Sequence, residues 1–127
     1  MLVDDDHNDN FFHKREIKKT NLSTIVIEKN SGLDALEYLK SKKVDKDIFP
    51  DLLFLDINMP GMNGWDFIQE FERLNKELQD RVIIIMLTTS DNDEDVAKAK
   101  ALNFVSDYIT KPLTEEIMKG IIKKYFD

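Results

Sequence analysis

The chain has 127 residues, a formal net charge of -7 and a pI near 4.8, a length that suits one domain with a buried core spanning 1–127. The acidic balance argues against direct nucleic-acid binding, which needs a basic stripe, and the lack of cysteine removes disulfides, thiol nucleophiles and thiolate metal sites. The apolar run Val82 to Leu87 is far shorter than the roughly 20 residues that span a bilayer, and Met1-Leu2-Val3 meets acids where a leader would be basic and then apolar, so a cytoplasmic protein with no membrane partner is expected.

Met1 to Val3 is a short apolar run that stops at Asp4-Asp5-Asp6. Only three residues precede Asp4, where strands commonly have five or six, which points to a first strand cut short at the N-terminus. A helix with a weak apolar period is expected over Phe11 to Lys19, with Asn8 or Asp9 as its cap. Thr24 to Glu28 is β-branched and reads as the second strand; Asn30-Ser31-Gly32 follows as a turn that offers Ser31 as a cap. Ala35, Leu36 and Leu39 then make one helical face.

Leu52 to Leu55 form the third strand and stop at Asp56, before a loop broken by Pro60, Gly61 and Gly64. Phe67, Phe71, Leu74 and Leu78 fall at i, i+4, i+7 and i+11, the stripe of one amphipathic helix. Val82 to Leu87 give the fourth strand, ending at Thr88. Ser90 or Asp91 is expected to cap the next helix, whose first turn holds Asp93, Glu94 and Asp95, and Asn103 suits a left-handed position at its end. Tyr108-Ile109-Thr110 runs into Lys111-Pro112 as the fifth strand, and a last helix starts near Thr114 with Ile117, Ile121 and Tyr125 on one face.

Strand and helix alternate five times, which implies right-handed crossovers and a doubly wound α/β sheet with helices on both faces. Apolar strands that each end at a polar residue place those residues on one edge, where open α/β sheets bind ligands. If Asp4, Asp5 and Asp56 converge there, their like charges call for a cation. Carboxylates without histidine or thiolate support favour Mg²⁺ over Zn²⁺. Asp56 could then attack phosphorus and form an aspartyl phosphate, with Lys111 and Thr88 donating to the phosphoryl oxygens.

The segments Leu2-Val3-Asp4-Asp5-Asp6, Leu55 to Gly64, Met86 to Ser90 and Tyr108 to Pro112 resemble, in order and spacing, the signature segments of response-regulator receiver domains. The resemblance implies a flavodoxin-like five-stranded parallel sheet of order 2-1-3-4-5. It also implies that Asp56 is the phosphoacceptor, that Asp5, Asp56 and the backbone carbonyl of Asn58 bind Mg²⁺ with Asp4 assisting through water, and that Thr88 and Lys111 hold the phosphoryl oxygens. Thr88 and Tyr108 would form the conformational switch, Asn58 and Ser90 would tune phosphoryl lifetime, and the peptide before Pro112 would be cis.

Function follows as an expectation: a stand-alone receiver that takes a phosphoryl group from a histidine kinase or phosphotransfer protein. It would signal through altered protein binding, at a surface formed by the last two helices and the fifth strand. A phosphate sink or relay shuttle is the alternative. An aspartyl-phosphate phosphatase is disfavoured, because such enzymes want a general acid two residues after the nucleophile, where Asn58 stands. Asp6 reads as a capping or solvated acid, and His7 and His13 as solvated surface residues. Trp65 suits either a partner contact or packing onto its own helix.

Overall fold

The computed structural model describes residues 1–21, 23–42 and 48–126. Its strands are β1 (Leu2–Val3), β2 (Glu28–Lys29), β3 (Leu52–Leu55), β4 (Ile83–Thr88) and β5 (Val105–Thr110). The helices are α1 (His7–Thr20), α2 (Gly32–Ser41), α3 (Gly64–Phe71), α4 (Lys76–Arg81), α5 (Asp93–Ala101) and α6 (Glu115–Phe126). All four strand pairings are parallel, and the sheet runs β2-β1-β3-β4-β5, the order that the resemblance implies.

Because successive strand side chains point to opposite faces, the sheet builds two separate cores. Val3, Leu53, Leu55, Ile84 and Met86 face α2 to α5, where they meet Leu36, Leu39, Phe67, Phe71, Leu78 and Ala99. Leu2, Leu52, Phe54, Ile85 and Leu87 face the other way and meet Ile17 of α1 and Met118 and Ile121 of α6. Burial on both faces explains why β1, β3 and β4 read as apolar runs, whereas the edge strands β2 and β5 are partly exposed and carry polar residues.

Several boundaries differ from the sequence expectations. The cap of α1 is Asp6, whose carboxylate accepts from the Asn8 and Asp9 amides, so the helix starts earlier than an Asn8 or Asp9 cap would allow. β2 lies at Glu28–Lys29, later than the β-branched run, because register with Leu2 and Val3 decides which residues pair. The stripe Phe67, Phe71, Leu74, Leu78 belongs to two helices: α3 ends at Phe71, and Asn75 caps α4 by accepting from the Leu78 amide. Asn92 caps α5 instead of Ser90 or Asp91, since the Ser90 hydroxyl is spent on the Asp95 carboxylate at 2.6 Å.

Asn103 is not left-handed; among the described residues only Gly61 has a positive φ, at 76°. The buried stripe of α6 is Met118 and Ile121, with Ile117 37 % exposed. Ser31 caps α2, Thr114 accepts from the Met118 amide at the start of α6, and the Lys111-Pro112 peptide is cis, all as expected. No helix among the described residues is long and apolar enough to cross a membrane.

Candidate functional site

The strand ends assemble the site. Asp4 follows β1, with its amide donating to the Lys29 carbonyl at 3.0 Å; Asp56 follows β3, with its amide donating to Val3 at 3.1 Å. Lys111 follows β5, and its amide donates to the Thr88 carbonyl at 2.8 Å. Backbone pairing thus brings residues more than fifty positions apart to one edge. Each of Asp4, Asp5 and Asp56 offers a carboxylate oxygen, all within 4.8 Å of one another; Asp4 and Asp56 are buried and Asp5 is exposed.

Lys111 sits among these acids with its side chain 8 % exposed. Its ammonium donates to Asp4 at 2.6 Å, Asp9 at 2.7 Å and Asp56 at 3.2 Å. Burial alone would lower the Lys111 pKa, but the bonds to Asp4 and Asp9 and the Asp56 charge outweigh it and raise the net value. Burial holds the Asp4 carboxyl above its ordinary value, against the opposing pull of Lys111 and of the Asp6 amide.

The loop behind Asp56 is fixed by close backbone packing. The Gly64 amide donates to the Ile57 carbonyl at 2.8 Å, and a Cβ on Gly64 would lie 2.7 Å from the Asp56 carbonyl oxygen, so only glycine fits without a shift. Asn63 and Asp66 close a capping box that starts α3. Asn58 is exposed, and its amide lies 3.4 Å from Asp56 Oδ1.

Thr88 is fully buried at the end of β4, and its hydroxyl accepts from the Ser90 amide at 3.3 Å. Tyr108 packs against the α2–α5 core, and its hydroxyl donates to the Ser90 carbonyl at 2.5 Å. Burial raises the Tyr108 pKa and keeps the phenol protonated as that donor. Thr88, Ser90 and Tyr108 are therefore linked through one loop. Trp65 packs against the same core and holds Lys98 Nζ 4.7 Å from its ring centroid.

Sequence reasoning missed the inward face of α1. His13 is 2 % exposed, which corrects its reading as a solvated residue; His7 is exposed as expected. Burial and the nearby Lys111 charge lower the His13 pKa, opposed by Asp9, Asp56 and Glu16. Asn10 is equally buried and donates to the Asp4 carbonyl at 3.0 Å, while Glu16 accepts from the Glu115 amide at the start of α6 at 3.2 Å. Asn10, His13, Glu16 and Ile17 share one helical face, so the weak apolar period of α1 marked a buried polar stripe.

These acids fit a hard divalent cation: the cluster supplies oxygen donors alone, and its buried members sit on a like-charged edge that an added cation would neutralise. A family model described as the response regulator receiver domain matches residues 1–123. The chain belongs to that family. Response regulator receivers accept phosphoryl groups in two-component signalling, typically bind Mg²⁺ at an acidic pocket, and interact with histidine kinases and downstream effectors.

Among solved structures, a two-component response regulator from Cytophaga hutchinsonii is similar at a TM-score of 0.87 and 32 % identity, covering 97 % of this chain and 92 % of that one. The chemotaxis protein CheY1 of Helicobacter pylori is 33 % identical over 109 residues, which are 83 % of this chain and 82 % of that protein. The sensor histidine kinase CheAY of the same species is 29 % identical over 126 residues, or 98 % of this chain, yet the match spans only 14 % of that kinase. Receivers similar to this chain thus occur both as most of a small protein and as a small part of a large one.

Proposed function

We propose that Asp56 is the phosphoacceptor of a signalling switch, and that the convergence of Lys111 on Asp4 and Asp56 is the observation that best supports this. A carboxylate oxygen of Asp56 attacks phosphorus. The P–N bond of a phosphohistidine, or the P–O bond of an acyl phosphate, breaks, and the leaving group departs with the electron pair. Asp5, Asp56 and the Asn58 carbonyl would hold Mg²⁺, with Asp4 assisting through water; when bound, the ion would neutralise charge on the transferring group. Lys111 and Thr88 donate to the phosphoryl oxygens, and burial of Asp4, Asp56 and the lysine strengthens those bonds.

Phosphorylation then changes the Thr88–Ser90–Tyr108 loop and shifts the protein between two conformations. Two features support this route: the Ser90 amide donates to Thr88, and the Ser90 carbonyl accepts from Tyr108. Asn58 and Ser90, which flank the phosphoacceptor and the threonine, tune the lifetime of the phosphoryl group. The output is altered protein binding at the face of α5, β5 and α6. The donor is a histidine kinase or a phosphotransfer protein.

Incubation with acetyl phosphate and Mg²⁺, followed by intact-mass measurement, tests this reading. The wild type is expected to gain one phosphoryl group and Asp56→Asn none; no gain in the wild type, or an equal gain in both, contradicts it. Sustained turnover of a phosphate monoester would instead favour a phosphatase. Asn58, exposed two residues after Asp56, has no proton to give as a general acid.

A further inference from the structure

Lys111 has three N–H donors, and three carboxylates take them. The 3.2 Å bond to Asp56 is given up when that carboxylate becomes an acyl phosphate, and the ammonium that then grips a phosphoryl oxygen is still held by Asp4 and Asp9 at 2.6 and 2.7 Å. The three acids differ in what release would cost. The side chains of Asp4 and Asp56 are 7 % and 8 % exposed, whereas that of Asp9 is 37 % exposed. A freed Asp9 carboxylate is solvated at once, while a freed Asp4 would remain a buried, unpaired charge.

Asp9 is also held in place. It lies in the first turn of α1, and its amide donates to Asp6 Oδ1 at 3.2 Å. The Asp6 amide in turn donates to Asp4 Oδ1 at 3.0 Å. The helix cap thus connects Asp9 to Asp4 by hydrogen bonds and sets its carboxylate 2.7 Å from the ammonium.

We propose that Asp9 is a positioning residue for phosphoryl transfer: it holds Lys111 in the unphosphorylated protein and gives the ammonium up to the phosphoryl group on Asp56. The proposal rests on the reading of Asp56 as phosphoacceptor. Asp9 acts by competition: while its carboxylate holds Lys111 at 2.7 Å it draws the ammonium away from the incoming phosphoryl group, so it slows acceptance.

The test uses the full chain as wild type, Asp9→Asn, Asp9→Glu, Lys111→Met and the Asp9→Asn/Lys111→Met double variant. Phosphorylation by acetyl phosphate with Mg²⁺ is followed by intact mass over a range of donor concentrations, and Mg²⁺ affinity by Trp65 fluorescence. At limiting donor, Asp9→Asn is expected to gain about two- to fivefold in rate, the scale of a partly exposed ion pair. Asp9→Glu should stay near the wild type. The gain should vanish in the Lys111→Met background, and Mg²⁺ affinity should change by less than about twofold.

No gain in Asp9→Asn overturns the proposal and leaves Asp56 as phosphoacceptor. An equal gain with and without Lys111 overturns it in favour of simple repulsion of the anionic donor. A slower reaction with weakened Mg²⁺ binding overturns it in favour of Asp9 as a metal ligand. Failure of the wild type to take any phosphoryl group removes the reading on which it stands.

Discussion

Gly64 stands against Asp56 so closely that a Cβ at this glycine would lie 2.7 Å from the Asp56 carbonyl oxygen and 2.8 Å from Ile57 Cα. Both are backbone atoms, so neither can turn aside as a side chain would. Gly64→Ala is expected to push the Asp56 loop away from α3. A loss of about 1–3 kcal/mol, typical of overpacking, should appear in denaturant unfolding, together with slower phosphorylation. An unfolding midpoint and a phosphorylation rate equal to those of the wild type would contradict the close packing.

Removal of the Lys111 ammonium leaves Asp4 and Asp56 buried without their cation. Lys111→Met should therefore destabilise the metal-free protein by about 3–5 kcal/mol, the scale for breaking one side of a buried ion pair. Mg²⁺ should raise the melting temperature of this variant more than that of the wild type, because a cation at the acids replaces the missing charge. Calorimetry with Mg²⁺ and with a chelator measures both effects. An equal Mg²⁺ shift in the two proteins would show that lysine and metal do not share the acids.

His13 predicts a pH dependence. Its folded pKa lies below the ordinary histidine value of 6.5, so above about pH 6.5 both folded and unfolded chains leave it neutral. Below that, the unfolded chain takes a proton that the folded protein refuses, and stability falls by at most about 1.4 kcal/mol per pH unit until the folded value is reached. Chemical unfolding at pH 7.5 and 5.5 should show this fall, and His13→Gln should lose part of it. An identical pH dependence in the variant would mean that His13 titrates alike in both states.

Glu16 joins two helices across the back of the sheet. Its carboxylate accepts from the Glu115 amide at 3.2 Å and pairs with Lys19, and that Lys19 bond, with the amide, lowers its pKa. A carboxylate at a helix N-terminus is stabilising. Glu16→Ala should lower the unfolding free energy and should increase amide exchange in the first turn of α6. Unchanged exchange at Glu115 would remove this bond from the description.

The residues that head this site were legible because each stands at the end of a short strand-like run: Asp56 after Leu52–Leu55, Thr88 at the end of Ile83–Thr88 and Lys111 after Tyr108-Ile109-Thr110, although β5 as a whole carries Ser106 and Asp107 and is only half-buried. Strand order was not readable from those runs; it came from resemblance, since register depends on partners far along the chain. The break between Phe71 and Asn75 escaped notice because Leu74 and Leu78 keep the helical period across it, so periodicity could not show the second cap at Asn75. Asn10, His13 and Glu16 were missed because burial was expected of apolar residues; their spacing at i, i+3 and i+6 was the available signal. Asp9 was read only as a cap, because its partner Lys111, like the partners Asp4 of Asn10 and Glu115 of Glu16, becomes visible only in the fold.

The most direct test of Asp56 as phosphoacceptor is to trap the acyl phosphate chemically. After acetyl phosphate and Mg²⁺ treatment, borohydride reduces an aspartyl phosphate to homoserine, and peptide sequencing by mass spectrometry locates it. Homoserine at position 56, and only after phosphodonor treatment, is the predicted result. Homoserine at Asp4, Asp5 or Asp9 with position 56 unaltered, or no homoserine at any aspartate, would contradict it.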